Sequence, residues 1–240
     1  NTVIFRIKRL VNGIFTAVMI VSLIGTLISS AGPAAPAQPP VTQELNTVPA
    51  DTDPGAPKIT LCDGASTEYT IVYGRSANRS EVHAALEQQA YLKKISGAAF
   101  PVSTDAETPH GKEIIVGKTN RAADTLIGRG SLGDDGYRIF VSGESLVIAG
   151  GEKRGTLYGV YAFLEDFLGC RFFTKDLEIV PSIPTVRVNR SADVTAKPAF
   201  TFRDTLWKGT FDAVFRGKLR LNGETCPGIS GAALDTLYDT

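Results

Sequence analysis

The sequence predicts an α+β fold, in which a mixed β-sheet carries two main helices packed on one of its faces. Segments with the period of a strand alternate with two segments of helical period, which favours a sheet covered by helices. Residues 137–149 have the pattern of a hairpin, so the sheet is not purely parallel. Hydrophobic residues make up 43% of the 240-residue chain, which is enough for a buried core.

The best-specified stretch runs from Gly136 to Phe173. Apolar and polar residues alternate over 137–142, residues 143–145 suit a turn, and residues 146–149 suit a buried return strand. The helix that follows has an apolar stripe on one face, and Gly169 stands where a left-handed residue ends a helix. The stripe consists of Leu157, Val160, Tyr161, Leu164, Phe167 and Leu168. We expect the rest of the domain to pack on this helix.

Several elements are predicted before the hairpin. Residues 59–61 and 69–73 suit strands, and residues 113–117 suit a short strand that is apolar throughout its centre. A helix is expected from an N-cap at Ser80 to Ser96, with Gly97 as its stop. A weaker helix, capped by Asn120, is expected to reach Ile127.

Short strands are predicted after the long helix. They cover residues 172–173, 178–181 and 185–188, and the last two are expected at a sheet edge because prolines flank them. The pattern then changes. Residues 198–202 alternate like a strand, and residues 211–221 have the spacing of a helix.

The N-terminal part of the chain predicts export. Basic residues precede an uncharged, mainly apolar run from Val11 to Ile28, so residues 1–31 are expected to be a signal peptide or a membrane anchor. The small residues at 29–31 favour cleavage, whereas the length of the run leaves an uncleaved anchor open. Residues 32–57 are rich in proline and alanine and are expected to be a linker. The product should be extracellular or anchored at the cell surface.

Charge and cysteine content restrict the function. The 25 basic and 25 acidic side chains cancel, and the sequence has no basic stripe, so nucleic acid is not an expected partner. The cysteines Cys62, Cys170 and Cys226 have no metal-ligand spacing with the two histidines, and neither a metal nor a cofactor is predicted. A disulfide between Cys62 and Cys170 remains open in an oxidising compartment.

The order of several short motifs resembles a known module. They include Gly136-Tyr137-Arg138, Arg154-Gly155, Tyr158-Gly159-Val160-Tyr161, Leu168-Gly169-Cys170-Arg171 and Val180-Pro181. The arrangement resembles the N-terminal domain of alpha-glucuronidases of glycoside hydrolase family 67, and a similar domain precedes the barrel of beta-hexosaminidases. The resemblance covers roughly residues 58–222. It implies an accessory α+β domain over 58–190 and the start of a truncated catalytic barrel over 191–240.

The resemblance also implies substrate-binding residues. Pro198, Phe200 and Arg203 match the junction at which the first strand and helix of a (β/α)₈ barrel begin in such glycosidases. An Arg at that strand contacts sugar hydroxyls in the hexosaminidase-like barrels, so Arg203 is the leading candidate, with Asp204 and Trp207 on the same segment. An ion pair of Arg203 with a neighbouring carboxylate, and a packing role for Trp207, are the alternatives.

No catalytic residue is predicted in the chain. Adjacent helical positions point about 100° apart, so Glu165 and Asp166 do not form a facing pair. Asp134 and Asp135 suit a turn. The glycine-rich loop 150–155 lacks the ending of a phosphate-binding loop and is interpreted as a tight strand-to-helix turn. In the families resembled, the catalytic carboxylates come from later barrel strands.

Two functions therefore stay open. In the first, the chain is the accessory region of an exported glycoside hydrolase that acts on polysaccharide, with its own downstream barrel and a carbohydrate substrate as partners. In the second, it is a surface-tethered, non-enzymatic carbohydrate-binding or adhesion module. In either case the N-terminal segment would be the membrane contact, and only if it is uncleaved.

Overall fold

The computed structural model describes residues 55–223. The predicted export segment, most of the linker, and Cys226 lie outside the described residues. Within residues 55–223, no helix combines the length and the apolar character needed to cross a membrane.

The domain is built on a mixed six-stranded sheet, as predicted. Its members are β2 (Thr70–Tyr73), β3 (Val102–Thr104), β4 (Glu113–Val116), β5 (Tyr137–Ser142), β6 (Ser145–Gly150) and β10 (Asp193–Ala196). The strand order is β10-β5-β6-β4-β2-β3. The four strands from β6 to β3 are parallel, whereas β5 pairs antiparallel with both β6 and β10. The β5–β6 hairpin turns at Gly143, whose φ of 62° lies in the left-handed region that glycine tolerates.

The first helix, α1 (Arg79–Ser96), confirms the predicted length and stop but corrects the cap. Asn78, not Ser80, is the N-cap: its side chain accepts a hydrogen bond from the Glu81 backbone, and the Glu81 carboxylate accepts one from the Asn78 backbone. This reciprocal capping box satisfies two backbone donors that the helix end leaves unpaired. Gly97 ends the helix with φ 83°.

The second helix differs from its prediction. α2 (Gly155–Ala162) is followed by a π-helical turn over Phe163–Phe167, and Gly169 ends the element with φ 77°. Every residue of α2 is buried, so the helix lies inside the domain and has no solvent-facing side. The π-turn widens the helix and shifts the side-chain spacing. Phe163, which lies off the predicted stripe, is buried together with Leu164.

The sheet is buried on both faces. On one face, Ile114, Leu146 and Ile148 belong to the same core as the buried residues of α1 and α2. On the other face, Ile115 and Val147 pack in a second core that the segment 122–132 covers. This segment forms two short 3₁₀ helices, Ala122–Leu126 and Arg129–Ser131, rather than the predicted helix capped by Asn120.

Two small antiparallel pairs complete the domain. β1 (Lys58–Asp63) pairs with β9 (Thr185–Asn189), and β7 (Arg171–Phe172) pairs with β8 (Glu178–Ile179). The chain then returns to the main sheet, because β10 pairs with β5 at its edge. The sheet therefore extends past residue 190, where the sequence placed the end of the domain.

The segment after β10 corrects the strand that was predicted over residues 198–202. Residues 198–202 form no strand; they are irregular and lead to a 3₁₀ turn (Lys208–Phe211) and a short helix, α3 (Ala213–Lys218). Phe215 of α3 is buried in the main core. An alternating pattern favours a strand only where a neighbouring strand offers backbone partners, and in residues 198–202 the carbonyls of Phe200 and Thr201 accept hydrogen bonds from Arg203 and Asn222 side chains instead.

Cys62 and Cys170 are both buried and both free, so the disulfide left open by the sequence is not formed. Burial raises the pKa of the Cys170 thiol to about 11, which keeps it protonated and unreactive near neutral pH.

Candidate functional site

The candidate site is centred on Asp135, a carboxylate in the loop before β5. Its side chain is only 8% exposed. Oδ2 accepts hydrogen bonds from Arg203 Nη2 at 2.7 Å and from Asn222 Nδ2 at 2.8 Å. Oδ1 lies 3.8 Å from Arg154 Nη1, an ion-pair distance, and receives no hydrogen bond. Two guanidinium groups thus share one buried carboxylate.

Two glycine-rich loops hold Asp135 in place. The backbone amides of Gly151 and Glu152 donate to the carbonyls of Gly136 and Gly133, and the Gly155 amide donates to Asp134. A Cβ on Gly151 would lie 1.6 Å from the Gly133 carbonyl oxygen, so the two backbones approach too closely for any side chain. The backbone amides of the loop 150–155 therefore donate hydrogen bonds to a neighbouring loop, which agrees with the interpretation of 150–155 as a tight turn.

Arg203 uses its donors within the protein. Besides Asp135, it donates from Nε to the Arg220 carbonyl at 2.9 Å and from Nη1 to the Phe200 carbonyl at 2.8 Å. Its guanidinium carbon lies 5.8 Å from the centre of the Tyr158 ring. The ion pair considered for Arg203 does form, but with Asp135, which is distant in sequence, and not with the adjacent Asp204. Arg203 fixes the segment after β10 onto the domain.

Asp204 and Trp207 do not converge with Arg203 on one surface. Asp204 accepts a hydrogen bond from Arg216 Nη2 at 2.9 Å, and both side chains are less than 10% exposed. Trp207 packs edge-on against Phe215, with ring centres 5.8 Å apart, yet remains 48% exposed. The packing contact considered for Trp207 is present, and part of the ring is still open to solvent.

The last described residues are tied to the same region. Arg220, which has a φ of 56°, pairs with Glu165 of the π-turn. Burial raises the pKa of Glu165, and the Arg220 charge opposes this shift. Tyr158 donates its hydroxyl proton to the Leu221 carbonyl at 3.0 Å. Glu165 is therefore a half-buried ion-pair partner of Arg220.

An open cleft of about 350 Å³ lies beside this cluster. Its volume is at the small end of the range for ligand sites. Four basic and two acidic side chains line it, which gives a net charge of +2 in a protein whose total charge is zero. The charged lining residues are Asp134, Asp135, Lys153, Arg154, Lys197 and Arg203. Phe200 adds an aromatic ring that is 70% exposed.

Sequence reasoning missed Asp135, Asn222, Lys197 and Phe200 as members of one site. The residues lie up to 87 positions apart, and their contacts depend on how the segment after β10 returns to the loop before β5. One signal was available: Asp134-Asp135 stands between Gly133 and Gly136, and flanking glycines of this kind are typical of close backbone packing. Among the described residues, no group of three or more His, Cys, Asp or Glu side chains is placed to hold a metal ion.

Residues 65–163 match the family model described as glycosyl hydrolase family 67 N-terminus. This part of the chain, from the turn after β1 to the start of the π-turn, is therefore similar to the N-terminal region of that family. The match includes Asp135 and Arg154, whereas Lys197, Phe200 and Arg203 lie beyond it. No curated protein matches the sequence.

Several solved structures of glycosidases are similar to part of this chain. A GH20 beta-N-acetylhexosaminidase from Streptomyces coelicolor A3(2) is 19% identical, with a TM-score of 0.41 over 65% of this chain and 27% of that one. A GH20 exo beta-N-acetylglucosaminidase from Vibrio harveyi is 16% identical, with a TM-score of 0.42 over 69% and 22%. A family GH115 4-O-methyl-alpha-glucuronidase is 14% identical, with a TM-score of 0.44 over 68% and 25%. The chain spans about a quarter of the length of these proteins.

Proposed function

We propose that this chain is the N-terminal accessory region of an exported glycoside hydrolase that acts on polysaccharide. The match of residues 65–163 to the N-terminal model of glycosyl hydrolase family 67 carries the proposal. In this function the domain supports a catalytic barrel that follows it, and the chemistry belongs to that barrel.

The ion pairs around the cleft favour a non-catalytic role for this region. Glycoside hydrolysis needs two carboxyl groups that flank the scissile bond, one of them able to donate a proton. Asp135, Asp204 and Glu165 are each committed to at least one arginine. A carboxylate that is engaged by an arginine of its own domain is not free to flank a scissile bond as one of such a pair.

The proposed substrate is a polysaccharide that carries glucuronic acid, such as a xylan-type chain. The experiment compares two proteins, the 240-residue chain and the product of the complete reading frame, on glucuronic acid-substituted xylo-oligosaccharides. Release of glucuronic acid by the complete product alone is the expected result. Release by the 240-residue chain would overturn the accessory role, and hydrolysis of other glycosides alone would replace the substrate class.

A surface-tethered, non-enzymatic carbohydrate-binding module is the second candidate. The observation that favours it is the exposure of aromatic side chains after β10, where Phe200 is 70%, Phe202 65% and Trp207 48% exposed. Exposed aromatic rings provide flat apolar surfaces of the kind that stack on sugars. The reading frame beyond Thr240 separates the two functions, since about 300 residues of alternating strand and helix indicate the enzyme and repeated β-modules indicate the binder.

A further inference from the structure

We propose that the cleft between the loop before β5 and the segment after β10 binds a single anionic sugar unit, with Lys197 and Phe200 as the residues that contact it. The inference deepens the proposed function and rests on it for the choice of a saccharide over other anions. It places a uronate-binding site in the accessory domain itself.

Electrostatics supply the first argument. Asp135 is less than one-tenth exposed and is flanked by Arg154 and Arg203, so the base of the cleft has one more positive charge than negative. Lys153 and Asp134, 3.5 Å apart and both more than half exposed, cancel each other. Lys197 adds a second net positive charge at the rim. A cleft of one sign attracts ligands of the other.

The position of Lys197 supplies the second argument. It is exposed, and it makes no ion pair with any residue between 55 and 223. Its stem passes over Gly133, where an added Cβ would lie 3.9 Å from Lys197 Cε. The 3.9 Å separation is an ordinary van der Waals distance, so the lysine stem lies directly above the loop that holds Asp135. A lysine in this position can meet a carboxylate as a compact charge on a flexible stem.

Phe200 supplies the third argument. Its ring is 70% exposed in the cleft, while its backbone carbonyl is held by Arg203 Nη1 at 2.8 Å. An exposed aromatic side chain on a fixed backbone presents a flat apolar surface at a low entropy cost. The apolar face of a sugar ring suits that surface. The volume of about 350 Å³ suits one sugar unit rather than an extended chain.

A matched pair of ligands tests the site. Methyl α-D-glucuronide and methyl α-D-glucopyranoside differ at one position, where the first carries a carboxylate. Titration calorimetry or NMR shift mapping on the 240-residue chain should show tighter binding of the glucuronide, with shifts at Lys197 and Phe200. Equal binding of the two ligands, or shifts confined to other residues, would overturn the proposal.

Variants separate the two contacts. Lys197→Gln should lower the affinity for the glucuronide by about two- to fivefold, which is the range for one exposed ion pair, and should leave the affinity for the glucoside unchanged. Phe200→Ala should weaken both ligands, because the ring recognises the sugar face. Lys93→Gln, an exposed lysine in the last turn of α1, is the matched control and should change neither. A loss of binding in Lys93→Gln equal to that in Lys197→Gln would show attraction to the whole protein and would overturn the site.

The binding test of the cleft and the hydrolysis test of the complete protein can fail independently of each other. If the complete protein releases no glucuronic acid but the glucuronide binds at Lys197 and Phe200, the proposed enzyme fails and the site stands. If hydrolysis occurs but the cleft binds neither methyl glycoside, the site fails and the enzyme stands. Inorganic phosphate that displaces the glucuronide with equal affinity would show a general anion site and would overturn the choice of a saccharide.

Discussion

Replacing Phe215 by alanine tests whether the segment after β10 folds as one unit with the sheet domain. Phe215 is 1% exposed in the main core and contacts Trp207 edge-on. Removing a buried phenylalanine ring costs about 3–5 kcal/mol in the free energy of unfolding. For a domain of this size, a loss of that magnitude lowers the melting temperature by roughly 6–20 °C.

The neighbouring residue provides the control. Val214 precedes Phe215 on α3 and is 36% exposed, so Val214→Ala should stay within about 0.5 kcal/mol of the unchanged protein. Urea unfolding followed by circular dichroism measures both midpoints. A single transition that moves to lower urea only in Phe215→Ala is the expected result. If Phe215→Ala leaves the main transition in place, or if both variants shift equally, the segment is not packed as described.

Three further outcomes are expected. Gly151→Ala should fold poorly or lose more than about 3 kcal/mol in the free energy of unfolding measured in urea, because its Cβ would lie 1.6 Å from a backbone oxygen. Gly130→Ala is the control and should be nearly neutral, since no atom lies within contact distance of the added Cβ. Similar urea midpoints for the two variants would contradict the close contact between the loops. Arg203→Lys keeps the charge but loses the planar guanidinium group that donates to Asp135 and to two backbone carbonyls. The free energy of unfolding should therefore fall by about 1–3 kcal/mol. An unchanged melting temperature would show that these hydrogen bonds of Arg203 do not stabilise the fold. Burial would raise the pKa of Glu178, but hydrogen bonds from a tyrosine and two lysines lower it from 4.5 to about 2. Glu178→Gln should therefore destabilise the protein above pH 4.5, and this effect should disappear as the pH falls towards 2. A loss of stability that does not change with pH would refute this account.

The secondary structure was predictable where local chemistry determines it. The β5–β6 hairpin and the length and stop of α1 follow from alternation, helical spacing and left-handed glycines, which act within a few residues. The cap at Asn78 was also available from its spacing to Glu81, a capping-box signature that the choice of Ser80 overlooked.

The tertiary arrangement was less predictable because it depends on partners distant in sequence. The alternation in residues 198–202 suits a strand, but in the structure their carbonyls meet Arg203 and Asn222. The apolar stripe of α2 gave no sign that every residue of that helix is buried. To predict the cleft, the hydrogen bonds of Asp135 with residues beyond β10 would have to be known, and no local sequence pattern indicates those contacts.

The return of β10 to the main sheet has a consequence for how this domain can be separated or exchanged. A chain cut at residue 190 would remove β10, leaving the backbone of β5 as an open edge. It would also leave Asp135 buried without Arg203 or Asn222. An open edge strand invites pairing between molecules, and a buried carboxylate that loses its hydrogen-bond donors weakens the fold. The chain can therefore be divided without loss of these contacts only beyond Asn222. A domain exchange that keeps the packing has to transfer the loop before β5, the loop 150–155 and the segment after β10 together.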